Sequence, residues 1–185
     1  MGYEVALNKA WEDLSDLNPN PAKNLLVKFL ADEYSVDIAQ RRIFSSACNV
    51  QAKDFISILL LHYLAKELKG LPAPSGQWLT FREFSGVEGY YEAFYRRCLK
   101  PVIRKYGKNP DALKDVVGRL PVHLSDGADV SLVIEAFAGV PVLVKFWKQD
   151  AEFAPDANMY FDSSVKSIFC IEDIVVLAQM VASQL

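Results

Sequence analysis

The chain has 185 residues, of which 51% are hydrophobic and 23% charged, and it contains 11 Phe, 8 Tyr and 3 Trp. This composition excludes an intrinsically disordered chain, and the length fits one domain spanning residues 1–185. The net charge of −3 argues against duplex nucleic acid as a partner, and the absence of a long apolar run or signal-peptide pattern predicts a cytoplasmic protein without membrane contact.

The first third of the chain predicts two helices followed by a hairpin. Apolar residues recur at helical spacing over 3–17, and Asn18-Pro19-Asn20-Pro21 ends that helix. Pro21 as a first helical residue, capped by Asn20, predicts a second helix over 22–31. Alternation at Tyr34, Val36 and Ile38, with Ile43-Phe44 beyond, indicates a hairpin over 34–46.

The middle third is dominated by two helices. Asp54 is expected to cap a helix over 55–69 that is apolar around most of its circumference and ends at Gly70. Alternation over 78–84 predicts a strand, and a glycine-containing loop over 85–89 follows it. Residues 90–106 form an amphipathic pattern in which Pro101 should kink or split the helix.

The last third changes to the two-residue period of strands. A short helix is expected to begin at Asn109-Pro110-Asp111 and end at Gly118, with His123 in a loop beyond it. Apolar β-branched runs at 130–137 and 142–147 predict a hairpin, and 158–162 a third strand. Asp162 is then expected to cap a helical turn before an amphipathic helix over 171–184.

These elements predict an α+β fold. N-terminal and central helices should pack on a mainly antiparallel sheet, the C-terminal part of which is a hairpin plus one strand, closed by a C-terminal helix. The three cysteines contain no Cys-x-x-Cys pair, so no zinc or iron–sulfur site built within this chain is expected.

Residues 82–97 offer the best candidate ligand site. Arg82 and Glu83, adjacent on the predicted strand, should point to opposite faces and need separate partners. Gly86 allows close backbone approach, while tyrosines bring hydroxyl groups that require partners when buried. The candidate ligand-binding residues in this region are Arg82, Glu83, Gly86, Tyr90, Tyr91, Tyr95 and Arg97.

Three further features have both a structural and a functional interpretation. His62, at the edge of the polar arc of its helix, is a candidate acid, base or ligand for a metal or tetrapyrrole, or a hydrogen-bonded residue at the core boundary. Asp150, Glu152 and Asp162 are candidate ligands for a divalent metal, although their spacing matches no calcium loop. A basic helix face is either solvated or binds an anion; its members are Arg96, Arg97, Lys100, Arg104, Lys105 and Lys108.

Four stretches of sequence together carry a family resemblance. They are Ile58-Leu-Leu-Leu-His-Tyr-Leu64, Gly76-Gln-Trp-Leu-Thr-Phe-Arg-Glu-Phe84 with Gly86, Tyr91-Glu-Ala-Phe-Tyr-Arg-Arg97, and Val140 to Phe153 running on to Phe161-Asp162. The chain resembles domain-of-unknown-function family 3786 of bacteria and archaea, many of them anaerobes. Some members carry an added cysteine-rich iron–sulfur segment, which implies redox or corrinoid metabolism for the family. This chain lacks that segment, so the resemblance implies such metabolism less strongly here, and it assigns no catalytic role.

The sequence therefore favours a binding module over an enzyme. The leading hypothesis is a pocket for an anionic small molecule or a tetrapyrrole- or corrinoid-like ligand in anaerobic metabolism. One alternative is an enzyme that uses Glu83, Asp150, Glu152 and Asp162, with or without a divalent metal. The other is an adaptor that docks an acidic or iron–sulfur partner protein on the basic face.

Overall fold

A computed structural model describes residues 2–19 and 24–185. In this part of the chain, five α-helices accompany two separate antiparallel sheets of three and five strands. The helices are α1 (Glu4–Leu17), α2 (Asp54–Lys69), α3 (Tyr91–Phe94), α4 (Lys100–Tyr106) and α5 (Ile171–Gln184). The α+β class expected from the sequence is confirmed, with a C-terminal helix as predicted.

The smaller sheet is an antiparallel meander of β1 (Leu25–Phe29), β2 (Asp32–Asp37) and β3 (Arg42–Ser45). The predicted hairpin over 34–46 is thereby confirmed. The predicted helix over 22–31 is wrong, because Leu25 to Phe29 pairs with β2 along its whole length and buries Val27 and Phe29 on one face. Its proposed start at Asn20-Pro21 lies outside the described residues.

The larger sheet has the strand order β4-β8-β7-β6-β5. Its strands are β4 (Trp78–Thr80), β5 (Val122–Leu124), β6 (Val130–Phe137), β7 (Val140–Trp147) and β8 (Asp156–Asp162). The hairpin of β6 and β7 was predicted, and Gly139 occupies its turn with φ +73°. The loop predicted around His123 is wrong, since His123 pairs with Val133 as part of the edge strand β5.

A stack of three aromatic rings joins the two sheets. Phe137 on β6 lies between Phe29 of the smaller sheet, 4.4 Å away, and Tyr63 of α2, 4.3 Å away, measured between ring centroids. The register shift between Glu135 and Phe137 frees the Ala136 carbonyl from the strand ladder, and the Leu30 amide donates to it at 2.8 Å. The two sheets therefore share one hydrophobic core with the helices.

The helix predicted over 90–106 is interrupted one turn before its proline. Tyr95–Leu99 forms a π-helical turn between α3 and α4. Pro101 has no amide hydrogen to donate to the Arg97 carbonyl four residues earlier, and its ring would crowd that carbonyl in a regular helix. The wider turn relieves this conflict, so the regular helix is interrupted by a π-bulge next to Pro101.

Candidate functional site

A groove opens where α2, α5 and the π-turn come together, and we call it the α2–α5 groove. Its volume is about 420 Å³, within the usual range for small-molecule sites. Three aromatic side chains and two valines make the lining mainly apolar, and three exposed polar residues contribute the rest. The lining residues are Tyr3, Phe55, Tyr90, Ala93, Arg97, Glu172, Val175, Val176 and Gln179.

The π-turn places Arg97 in this groove. The thiol of Cys98, which is fully buried, lies 3.8 Å from the carbonyl oxygen of Val175 on α5 and anchors the turn against that helix. Burial raises the pKa of Cys98 to about 12, so this sulfur is a neutral packing group. Arg97, the preceding residue, reaches the groove while remaining exposed to solvent.

Arg97 has no ion-pair partner in the described part of the chain. The three ion pairs found there involve His62, Lys114 and Lys148. Glu172 lines the same groove, yet its carboxylate is beyond the 4.0 Å limit for an ion pair with Arg97. The guanidinium is thus free to bind an anionic group in two-point fashion.

Several residues that line the groove were not predicted from the sequence as site residues. Tyr3 and Phe55, from the starts of α1 and α2, approach each other with ring centroids 6.2 Å apart. Tyr3 is 51% exposed and Tyr90 46% exposed, an unusual degree for aromatic side chains that face a common depression. The only sequence signal was the apolar character of these positions near polar helix ends, which does not reveal that they converge.

Arg82 lies in a different and shallower depression. Its guanidinium carbon is 3.7 Å from the centroid of the Tyr91 ring, a cation–π contact. Glu88 and Glu92 line the same depression of about 330 Å³. Two carboxylates beside one arginine make this surface a poorer receptor for an anion than the α2–α5 groove.

The predicted strand over 78–84 is wrong beyond Thr80, and this changes the role of Glu83. Phe81–Glu83 forms a 3₁₀ turn, so Arg82 and Glu83 do not alternate across a sheet. The Glu83 carboxylate accepts hydrogen bonds from both the amide and the hydroxyl of Thr80, each at 2.7 Å. These bonds lower the pKa of Glu83, and the side chain acts as a cap for the turn.

The remaining predicted residues of this region separate from one another. Gly86 has φ +80° and open space where a Cβ would stand, which indicates a turn rather than close approach to a bound group. Tyr95 is partly buried and packs against the core. The structure therefore divides the three tyrosines among the Arg82 depression, the α2–α5 groove and the core.

Asp162 is the most fully hydrogen-bonded carboxylate of the chain's described part. It is 2% exposed and accepts bonds from the amides of Ser75 (2.9 Å), Gly76 (2.7 Å) and Ser164 (2.9 Å), and from the Ser75 hydroxyl (3.0 Å). Although burial acts in the opposite direction, these donors hold the pKa of Asp162 at about 2. The predicted cap at Asp162 is confirmed.

Asp150 and Glu152 stand at the opposite end of β8 from Asp162. They lie in the loop between β7 and β8, whereas Asp162 is the last residue of β8, about 20 Å along the strand. Asp150 accepts the amides of Glu152 (2.8 Å) and Phe153 (2.7 Å), which lower its pKa. No three His, Cys, Asp or Glu side chains among residues 2–19 and 24–185 are grouped so that they could hold a metal ion.

His62 forms a hydrogen bond with a buried carboxylate that was not predicted from the sequence. Its Nδ1 lies 2.7 Å from an Asp173 carboxylate oxygen on α5, which also accepts from the thiol of Cys170 at 3.2 Å. The hydrogen bond and then the charge of Asp173, assisted by Asp13, raise the pKa of His62 against the effects of burial and Lys9. The Cys170-x-x-Asp173 spacing indicates a helix cap, but it gives no hint of a partner 111 residues away.

The His62–Asp173–Cys170 cluster is organised as a link between helices. Loss of hydration and the Asp173 carboxylate raise the pKa of Cys170 to about 12, so its sulfur is a hydrogen-bond donor and a weak nucleophile. His62 lines neither the α2–α5 groove nor the Arg82 depression. The cluster joins α2 to α5, and both helices also contribute side chains to the α2–α5 groove.

Comparisons with known proteins identify the family and nothing more specific. Among residues 2–19 and 24–185, no helix combines the length and apolar character needed to cross a membrane. No curated protein and no solved structure matches the chain. The family described as Domain of unknown function (DUF3786) matches residues 15–184, which is nearly the whole chain, and the protein belongs to that family.

Proposed function

We propose that the protein is a binding module and that the α2–α5 groove takes a small amphipathic carboxylate. The observation that carries this proposal is Arg97, a cation without an ion-pair partner in the described residues, at the edge of an aromatic-lined groove. A guanidinium recognises a carboxylate through two parallel hydrogen bonds. The neighbouring rings offer apolar contact for the rest of the ligand.

The size and charge of the groove narrow the ligand class. At about 420 Å³, it lies near the lower end of the range for ligand sites, which favours a compact anion with an apolar body over a complete corrinoid. Glu172, which also lines the groove, disfavours a second negative charge and favours a hydrogen-bond donor on the ligand. A planar aromatic carboxylate with one hydroxyl or amino group fits this arrangement.

A thermal-shift screen tests the proposal. The panel contains aromatic carboxylates, aliphatic carboxylates, nucleotides, haem and cobalamin, each added to the full chain. A ligand present at 100 times its Kd stabilises the folded state by about 2.7 kcal/mol, which corresponds to a rise in Tm of roughly 5–10 °C for a chain of this size. We expect the largest rise with aromatic carboxylates.

Three arginine variants locate the site. Arg97→Gln should weaken binding of the best carboxylate at least about tenfold, because a two-point charged contact is lost. Arg96→Gln is the matched control, since Arg96 is exposed, adjacent in sequence and outside the groove lining. Loss of binding in Arg82→Gln instead of Arg97→Gln, or no stabilisation by any member of the panel, would refute the assignment.

A further inference from the structure

A row of six cations follows the π-turn and α4 to its end, and we call it the basic face. Its residues, all exposed, are Arg96, Arg97, Lys100, Arg104, Lys105 and Lys108. The row covers 13 positions, of which residues 96–105 extend about 14 Å along the π-turn and α4, and Lys108 lies just beyond the helix. Several members are four residues apart, a spacing that keeps side chains on the same side of a helix.

None of these cations forms an ion pair with an Asp or Glu side chain of the described residues. The ion pairs of residues 2–19 and 24–185 all lie elsewhere. Arg96 donates to the main-chain oxygen of Glu92 at 3.4 Å, and Lys105 donates to that of Leu185 at 2.6 Å. The Glu92 oxygen is a neutral acceptor, so Arg96 keeps its charge, as do Arg97, Lys100, Arg104 and Lys108. Lys105 is held by an oxygen of the last residue of the sequence and adds least to the uncompensated charge of the row.

The body that carries this row is acidic. The chain has 20 Lys and Arg against 23 Asp and Glu, and because six of the 20 belong to the basic face, the other 14 are set against all 23 carboxylates. A long rigid polyanion such as duplex nucleic acid would meet attraction at the row and repulsion from the excess carboxylates of the rest of the chain. A compact negative patch on another molecule avoids that repulsion.

The side chains between the cations narrow the class of partner. None of the large, prominently exposed apolar side chains lies between Arg96 and Lys108, and the exposed rings of Tyr3 and Tyr90 face the α2–α5 groove beside Arg97. Insertion into a lipid surface requires such groups, and stacking on single-stranded nucleic acid requires exposed aromatic rings. We propose that the basic face docks a row of carboxylates on the surface of an acidic partner protein.

The test uses a fluorescein-labelled peptide of twelve glutamates as the probe and fluorescence anisotropy as the readout. We expect binding by the full chain that weakens as salt is raised from 50 to 300 mM, because exposed charges are screened over about one Debye length. Lys100→Glu/Arg104→Glu should weaken binding at least about tenfold through loss of two attractions and gain of two repulsions. Arg97 is left intact, so the result is independent of the α2–α5 groove.

The control variant makes the same charge change elsewhere. Arg42→Glu/Lys69→Glu alters exposed cations on β3 and at the end of α2 and should retain binding within about twofold. Thermal unfolding of both variants confirms that they are folded. The neutral variant Lys100→Gln/Arg104→Gln should give an intermediate loss.

Four outcomes would overturn the proposal. The first is that the wild-type chain does not bind the peptide, and the second is that the control variant loses as much binding as Lys100→Glu/Arg104→Glu does. The third is that a twelve-nucleotide single strand or phosphatidylserine vesicles bind more tightly than the peptide. The fourth is that the wild-type chain self-associates and that the Lys100→Glu/Arg104→Glu variant does not. The last result would identify a second copy of the chain as the occupant.

Discussion

Replacement of Asp162 by alanine should destabilise the protein by about 2–3 kcal/mol at pH 7. The pKa of Asp162 is about 2 against an ordinary 3.8, and at 1.36 kcal/mol per pKa unit this difference corresponds to about 2.4 kcal/mol. The hydrogen bonds give a similar figure. Alanine leaves the amides of Ser75, Gly76 and Ser164 without their acceptor, at about 1 kcal/mol each.

The pH dependence of this contribution has a definite sign. Because the folded pKa of Asp162 is below the unfolded value, its stabilisation is fully present above pH 3.8 and is lost as the pH falls towards 2. The difference in unfolding free energy between wild type and Asp162→Ala should therefore shrink across that window. Asp162→Asn, which keeps one acceptor oxygen but no charge, should give an intermediate loss at pH 7.

Urea denaturation followed by tryptophan fluorescence measures these differences. The matched control is Asp150→Ala, which removes an exposed carboxylate that also accepts two main-chain amides; its effect should be much smaller because solvent can replace those bonds. An Asp162→Ala variant within about 0.5 kcal/mol of wild type would refute the reasoning. Stabilisation of the wild type, but not of Asp162→Asn, by Mg²⁺ or Mn²⁺ would show instead that the carboxylate is a metal ligand.

Two further predictions concern the helix link and the thiols. In urea denaturation, His62→Gln should destabilise the protein by about 1–2 kcal/mol at pH 5.5. The loss should fade as the pH rises through the folded pKa of His62, which is raised above 6.5. Native labelling with iodoacetamide, followed by mass spectrometry, should modify the thiols in an order set by exposure and thiolate content. That order, fastest first, is Cys48, Cys170 and Cys98, and early modification of Cys98 would contradict its placement beneath α5.

Most of the architecture could be predicted where a hydrophobic period is long and unambiguous. The hairpin of β6 and β7, the terminal helix and α2 all follow from such periods. The predicted cap at Asp54 is wrong by one residue, because Asp54 is the first helical residue of α2 and Lys53 is the cap. The helix expected over 22–31 failed because Leu25 to Phe29 is short enough to fit either period, and pairing with β2 decides between them. The strand β5 has only three residues, too few for alternation to be visible.

The candidate site was predictable only in part, because convergence is a property of the fold. Tyr90 and Arg97 were selected from the sequence, yet their neighbours Tyr3, Phe55 and Val176 come from distant segments. Pro101 was the sequence signal for the π-turn that presents Arg97, because proline has no amide hydrogen to donate to the carbonyl four residues earlier. The pairing of His62 with Asp173 depends on the packing of α2 against α5, which no local pattern encodes.

The position of Asp162 in the fold has a kinetic consequence. The three-stranded meander closes through neighbours in sequence, whereas the bond between Ser75 and Asp162 joins residues 87 positions apart. Contacts between residues so far apart in sequence close a long loop, and the loss of chain entropy makes them form late in folding, after local structure. The interactions around Asp162 should therefore be absent from the transition state, and their loss should accelerate unfolding while leaving the folding rate nearly unchanged.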